Sequence, residues 1–574
     1  MTQTASPRRA TLNAARSRTD GARWLELCRA SVSPRAVAVI GAALVLCALT
    51  LLAPLVALPR ELRVERAFEL AFGMLQTTPP FDEILRQLPA ERLASARARG
   101  HALIASVITP VLIAGFLVCC GAAAAFAVCA RVLRPRFARI ALDPPAGSRL
   151  LHRARVFSGF CALALIAHAP YALGSVRFDE DGAAIQASRD LWSWANNLAG
   201  WQCHVGALLS MRISTALFGL NELSVRAPAV LASSVGVGLL CDHLWHRFSP
   251  WLSSTTAALI VMTPLWAEQT SLGRGYGLMS FAASLMTVCL LRLQDEADRP
   301  SAATMYGLLV ATCVGGLSHF FFVFFIAGAA LVIATNKLQP ADLRSASLWW
   351  MLLAFVPAGI SHAIGAPAVL VQMRELPHLD WAVVLQRFSF ELGFRFQGWL
   401  APAIASLSTV LLLWAVWSAP RALRRPLWLL LFVSVGVPML AKPVYLYPRF
   451  YLHVLAVLAP ALAFLLSVRW LRAHAGWNAA LLALLLGFGV VAAHPWNVQS
   501  TVPLRTAGQM ARALQERYGS RFAVESFIST SVRFYNGSTG RIVNVQHPVP
   551  PDVDHILLVA ARGETLQLPA SFRE

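Results

Sequence analysis

Three carboxylates stand side by side in the stretch SVRFDEDGAA (residues 175–184): Asp179, Glu180 and Asp181, with Arg177 just before them. Carboxylates grouped like this can take the proton from a hydroxyl as it attacks, or hold a divalent metal ion that activates it. An apolar run ends near Leu173, so the acids begin at the edge of what reads as a membrane span. Near lipid, an ionised carboxylate is disfavoured unless a cation or a reacting group compensates it. A second set of polar residues also falls at the ends of apolar runs: His204, Glu222, Arg226, Glu268, Arg274, His319, Lys442 and Arg449. Cations in such places can bind an anionic group on which charge develops. They can equally snorkel to anionic lipid.

The elements that carry these residues follow from composition. Of 574 residues, 57% are hydrophobic and only 14% charged, and the mean hydropathy is +0.58. An ordinary soluble protein is about 25% charged and roughly 45–50% apolar. Apolar runs fall at about 36–58, 102–128, 156–174, 226–245, 253–268, 276–291, 303–318, 320–335, 347–366, 399–418, 427–441, 451–468 and 477–493. By length, these predict an all-α polytopic membrane protein of about 13 transmembrane helices.

The net charge is +20. The arginines collect in alternate gaps between apolar runs, as the positive-inside rule requires, so the basic excess points to the membrane and not to nucleic acid. With residues 1–35 read as a cytoplasmic tail, the basic connection around 131–155 and Arg247, Arg292, Arg344, Arg421, Arg424, Arg425 and Arg469 fall inside. The acids at 179–181 and Arg274, Lys442 and Arg449 fall outside. The ten cysteines form no CxxC pair and lie mostly in apolar runs, where they read as small buried hydrophobes.

Three outer segments are long. Residues 59–100 read as an amphipathic helical appendage after the first of two accessory spans (36–155). Within 175–225, AAIQASRDLWSWANNLAG reads as a helix in the interface, with Trp192 and Trp194 beside its apolar face. Trp399 and Tyr445 fit an interfacial aromatic belt. The last segment, 495–574, reads as a small α/β periplasmic cap, with strands at RFAVESF and DHILLVAAR and a short helix and turn around RFYNGS. The triplet beginning at Asn536 matches a glycosylation acceptor pattern that is common by chance.

Across residues 156–470 several phrases occur in order. FDEDG is followed by LFGLNELSVRAPAVL, then AEQTSLGRGYGLMSF (267–281), GGLSHFFFVFF (315–325) and YLYPRFYLHVLAVLAP. In this order the chain resembles the GT-C superfamily of polyprenyl-phosphate-sugar glycosyltransferases, which includes protein O-mannosyltransferases and the lipid A aminoarabinose transferase. The chain departs from many relatives at Cys203-His204-Val205-Gly206, where they have His-Pro-Pro-Leu.

The resemblance implies a GT-C-like transmembrane domain over 156–494. Its implied activity is transfer of a sugar from a polyprenyl-phosphate-linked donor to a hydroxyl of a glycan, lipid or protein on the outer face, with inversion. It implies Asp179 as the general base, with Glu180 sharing the acceptor, and Arg274, Arg449, Lys442 and His319 on the donor phosphate. Glu268, Glu222, Arg226 and His204 support the acceptor or the structure. A divalent metal ion is left open as a cofactor. The expected setting is a bacterial cytoplasmic membrane, with the N-terminus cytoplasmic and the C-terminus periplasmic; the Ala-, Arg- and Leu-rich composition suits a high-GC bacterium. A lipid or glycan transporter would instead place ionisable groups within its spans. A polysaccharide polymerase or ligase would use a pyrophosphate-linked donor.

Overall fold

A computed structural model describes residues 56–77, 89–132, 147–172, 204–295, 301–336, 347–359, 361–362, 421–438, 448–469, 504–525, 541–543 and 555–557, with a few single positions between them. These residues are overwhelmingly helical. Two helices, Glu222–Arg247 and Tyr276–Asp295, are long and apolar enough to cross a membrane. Several other expected spans form shorter apolar helices, so the count of about 13 is not reproduced among the described residues.

The expected amphipathic appendage is a helical hairpin. Helix α1 (Arg60–Thr77) packs on α2 (Ala90–Val132), a continuous helix of 43 residues that also contains the second expected span. Val64, Phe68 and Phe72 are buried. Arg97 lies over the Phe72 ring at 4.6 Å and meets Glu69 at 3.0 Å.

The central bundle begins with α3 (Gly147–Ala172), α4 (Val205–Phe218) and α5 (Glu222–Arg247). The LFGLNELS phrase forms the corner between α4 and α5. Gly219 takes φ 74° after α4, a conformation open to glycine at little cost. Asn221 then caps α5, accepting from the Ser224 amide at 2.8 Å, while Ser224 Oγ accepts from the Asn221 amide at 3.1 Å. The span expected at 253–268 is instead two helices, α6 (Pro250–Val261) and α7 (Pro264–Ser271). Pro264 has no amide hydrogen to donate and its ring crowds the preceding turn, which favours a break there, although α5 and the helix Leu455–Arg469 run through Pro228 and Pro460. Pro264 opens α7, the position that tolerates proline best.

Helices α8 (Tyr276–Asp295), α9 (Ala302–Ser318) and α10 (Phe322–Ala334) follow. Next come α11 (Ser347–Gly359), α12 (Arg421–Leu431) with a π-turn over Phe432–Gly436, a 3-10 helix over Pro448–Val454, and α13 (Leu455–Arg469). Gly277 of α8 sits so near α5 that a β-carbon there would collide with the Ala229 backbone. Small residues at such crossings let helix backbones approach closely. The core includes Trp266, Tyr276, Met279, Met286, Phe322 and Phe325, all essentially inaccessible. Its polar tie is His168, whose Nε2 meets Ser233 Oγ at 2.9 Å and whose Nδ1 meets Ser271 Oγ at 2.9 Å, joining α3, α5 and α7.

The two ends of the bundle differ. At one, α3 and α9 finish while α5, α8 and α10 begin; here lie Arg226, Arg274 and His319. At the other, Arg153 meets Asp242 at 2.8 Å and Arg247 meets Asp295 at 2.6 Å. The C-terminal segment contains α14 (Leu504–Tyr518) and three strands, β1 (Phe522–Glu525), β2 (Arg541–Val543) and β3 (His555–Leu557). Two of these were expected; Arg541–Val543 is an addition. All pair in parallel, in the order β2-β1-β3, with Ala523 opposite both Arg541 and Ile556. The three-residue run RIV is too short for an alternation of apolar and polar residues to reveal it.

Candidate functional site

Four breaks in helical structure meet at the first end of the bundle. His204 precedes α4 and its Nδ1 lies 2.7 Å from the Ser318 carbonyl oxygen at the end of α9. A carbonyl can only accept, so Nδ1 of His204 carries the proton. His319 leaves α9 in an extended conformation (φ −159°, ψ 135°), turning the chain before α10. The Phe321 amide donates to His319 Nδ1 at 3.2 Å. In the neutral ring that assigns the proton of His319 to Nε2.

The two imidazoles lie 4.9 Å apart, centroid to centroid. Tyr276, the first residue of α8, is 5.3 Å from His319 and 5.8 Å from His204. Phe450 is also 5.3 Å from His319 and stacks on Phe321 at 5.0 Å. Each of these two rings has an arginine against it. The Arg274 guanidinium lies 5.7 Å from the Tyr276 ring centre, and that of Arg449 lies 5.8 Å from Phe450. The Arg274 turn is tight, with its amide donating to the Leu272 carbonyl at 2.7 Å. Gly275 makes this assembly possible, because a β-carbon there would strike the Ser318 carbonyl and come within 2.8 Å of His204 Nδ1.

His319 is 5% exposed. Desolvation is the main reason its pKa falls well below the ordinary imidazole value, and the positive fields of His204, His453, Arg274 and His362 add to the shift. The imidazole is therefore neutral at physiological pH, a hydrogen-bond donor set among cations.

The sequence-predicted residues divide into three groups. His204, Arg274 and His319 come together directly, and Arg449 joins them through Phe450. Glu222, Arg226 and Glu268 have other places. Arg226 is 1% exposed and donates to the carbonyls of Tyr171 at 3.2 Å and Ala172 at 2.9 Å. It holds the last turn of α3, where a cation suits the helix dipole. Glu222 is in the first turn of α5, where an anion suits it. Glu268 is half-buried on α7, just before the Arg274 turn. Asp179, Glu180 and Lys442 lie outside the described residues, as do Asp181, Trp192, Trp194, Trp399, Tyr445 and Asn536.

Tyr276 and Phe450 were not singled out from the sequence, although both stand inside phrases that were, RGYG and PRFY. His453, packed on Phe322 and Phe325, likewise stands inside the quoted phrase YLYPRFYLHVLAVLAP without being singled out, whereas His362, whose Nε2 meets the Gly316 carbonyl at 2.7 Å, lies in none of them. Among the described residues no group of three or more His, Cys, Asp or Glu is placed to hold a metal ion. Both Nδ1 atoms of the imidazole pair are engaged, and hard divalent ions prefer oxygen ligands. The described donor set therefore does not fit a metal by itself; oxygen ligands would have to come from Asp179 and Glu180. No protein-family model matches this chain, and comparison with curated proteins finds none that matches.

Proposed function

We propose that this chain is a polytopic membrane glycosyltransferase that moves a sugar from a polyprenyl-phosphate-linked donor to an acceptor hydroxyl at the outer face. The observation that carries the reading is the meeting of His204, Arg274, His319 and, through Phe450, Arg449. These residues come from four separate segments, and each was chosen from sequence for the same outer surface. The arrangement offers two guanidinium groups and a neutral imidazole N–H to one anion, with aromatic rings between them. A leaving phosphate needs cations placed where its negative charge develops.

In the proposed reaction the acceptor oxygen bonds to the anomeric carbon as the bond from that carbon to the phosphate oxygen breaks. The hydroxyl proton passes to Asp179, with Glu180 holding the acceptor. Arg274, Arg449 and Lys442 neutralise the departing phosphate, and His319 Nε2 donates to it. One attack from the opposite face inverts the anomeric centre. The setting proposed is a bacterial cytoplasmic membrane, with the remaining expected spans completing a GT-C-like domain and the C-terminal cap in the periplasm.

The test uses full-length protein in detergent, wild type and Asp179→Asn, with a panel of polyprenyl-phosphate sugars and a membrane extract as acceptor. Release of free polyprenyl phosphate is followed by mass spectrometry. Release by wild type and a loss of at least about 100-fold in the variant are expected for a lost general base. No release from any donor by folded wild-type protein would sink the transferase reading and favour a transporter.

A further inference from the structure

His168 of α3 is fully buried and takes no part in the proposed reaction. Its Nδ1 lies 2.9 Å from Ser271 Oγ and 3.3 Å from the Ala267 carbonyl oxygen, both on α7, and its Nε2 lies 2.9 Å from Ser233 Oγ on α5. These partners place the proton. Ser271 gives its own hydroxyl proton to the Ala267 carbonyl at 2.5 Å. Both oxygens therefore accept from His168, so Nδ1 carries the proton and donates to α7, while Nε2 of the neutral ring accepts from Ser233. An aliphatic side chain could also pack against Trp266, whose ring lies 4.6 Å from the imidazole. A ring with a donor on one edge and an acceptor on the other additionally ties two neighbouring helices in one orientation.

Ser271 is the last residue of α7, a helix of only eight residues. Leu272 and Gly273 alone separate it from Arg274, so no more than about 11 Å of chain joins the two α-carbons. Gly273 rests on the start of α5, where a β-carbon would come within 2.5 Å of Val225 Cγ1. Trp266 joins α7 to α8 as well, donating to Ser280 Oγ at 2.9 Å. On α3, His168 stands one turn before Tyr171 and Ala172, whose carbonyls receive Arg226. Arg226 and Ser233 are seven residues apart on α5 and so share a face. The chain leaving α3 reaches Asp179 seven residues after Ala172.

We infer that His168 is a positioning residue: through Ser271 it holds the Arg274 turn in a fixed place relative to the end of α3, from which the segment with Asp179 departs. The inference rests on the transfer reading and deepens it. The proposed base and a phosphate-binding arginine belong to separate segments, and inversion requires them to act on opposite sides of one anomeric carbon. A misplacement of about 1 Å in such a geometry can cost about 100-fold in rate.

The test compares the two serines that bond the same ring. Ser271→Ala and Ser233→Ala each remove one hydrogen bond to His168, so their thermal midpoints in detergent should fall alike. Only Ser271→Ala should lower kcat for a polyprenyl-phosphate sugar donor, by about 10-fold with KM little changed. The two edges of the ring give a matching pair. His168→Asn keeps a donor near the place of Nδ1 and should retain most of kcat. His168→Gln keeps a polar group near the place of Nε2 and should lose kcat as Ser271→Ala does. In an Arg274→Gln background, Ser271→Ala should have less than about two-fold further effect, because it acts through Arg274. Amide hydrogen exchange over residues 272–276 reads the turn without turnover, and should be faster in Ser271→Ala and unchanged in Ser233→Ala. Equal kcat losses in the two serine variants, a Ser271→Ala loss undiminished in the Arg274→Gln background, or unchanged exchange at 272–276 in Ser271→Ala overturns the inference. If wild type turns over no donor, the transfer reading fails by itself, and the exchange comparison still decides whether His168 holds this turn.

Discussion

His204 Nδ1 donates to the Ser318 carbonyl over 2.7 Å, tying the start of α4 to the end of α9. The contact satisfies a carbonyl that the helix leaves without an intrahelical partner. It also brings the His204 ring to 4.9 Å from His319, the next residue after Ser318. A structural hydrogen bond thereby assembles two imidazoles that the chain separates by more than a hundred positions.

Gly275→Ala tests that assembly. The new methyl would strike the Ser318 carbonyl and crowd His204, and overpacking of this kind costs about 1–3 kcal/mol. A lowered thermal midpoint in detergent is expected, with donor turnover reduced beyond what the stability loss explains. Gly159→Ala is the control. A β-carbon there meets nothing within 4 Å, so the midpoint should hold or rise slightly, as replacing a helical glycine stabilises by roughly 0.5–1 kcal/mol.

Arg226→Met removes a buried guanidinium from the last carbonyls of α3. Hydrogen bonds from charged groups contribute about 1.5–3 kcal/mol, so a destabilisation of about 2–3 kcal/mol is expected. Denaturant or thermal unfolding of the purified protein measures it. A midpoint equal to wild type would mean that α3 ends without this support.

Arg274→Gln and Arg449→Gln should each lower kcat/KM for a polyprenyl-phosphate donor by about 10- to 100-fold, the worth of one charge-assisted contact. Losing a contact made only as the phosphate departs lowers kcat, whereas losing uniform donor binding raises KM. Arg274→Lys should recover part of the loss, because it restores the charge without the planar fork. Steady-state kinetics with one donor at varied concentration separates these cases.

His319 adds a pH dependence. Its folded pKa is depressed, so at acid pH the unfolded chain binds the proton more readily than the folded one. The stability associated with the neutral ring is complete above about pH 6.5, the unfolded imidazole value, and is lost as pH falls through the folded pKa. The stability difference between wild type and His319→Gln should therefore shift in favour of the variant as pH falls from 7 to 5. Parallel curves for the two proteins over that range would show that His319 is not held neutral. Unfolding midpoints across that range provide the measurement.

Much of the architecture could be read along the chain because its causes are local. The apolar run at 226–245 follows from composition alone, the cap at Asn221 comes from two side chains three residues apart, and the break at Pro264 is favoured by proline's missing amide hydrogen. The break was nevertheless missed, because hydropathy averages over a window in which one proline hardly registers. The strand at Arg541–Val543 was missed for a related reason, being three residues whose pairing with β1 is entirely non-local.

At the candidate site the chain by itself supplied residue types, histidines and arginines at the ends of apolar runs. It could not say which of them meet. Arg226 and His319 looked alike in that respect, yet one is spent on the end of α3 while the other packs on both Tyr276 and Phe450. That division depends on how five helix ends pack, and the packing turns on close approaches such as Gly277 to Ala229 and Gly275 to Ser318. Only the tertiary structure decides such contacts, because excluded volume acts between segments distant in sequence, and no local preference encodes it.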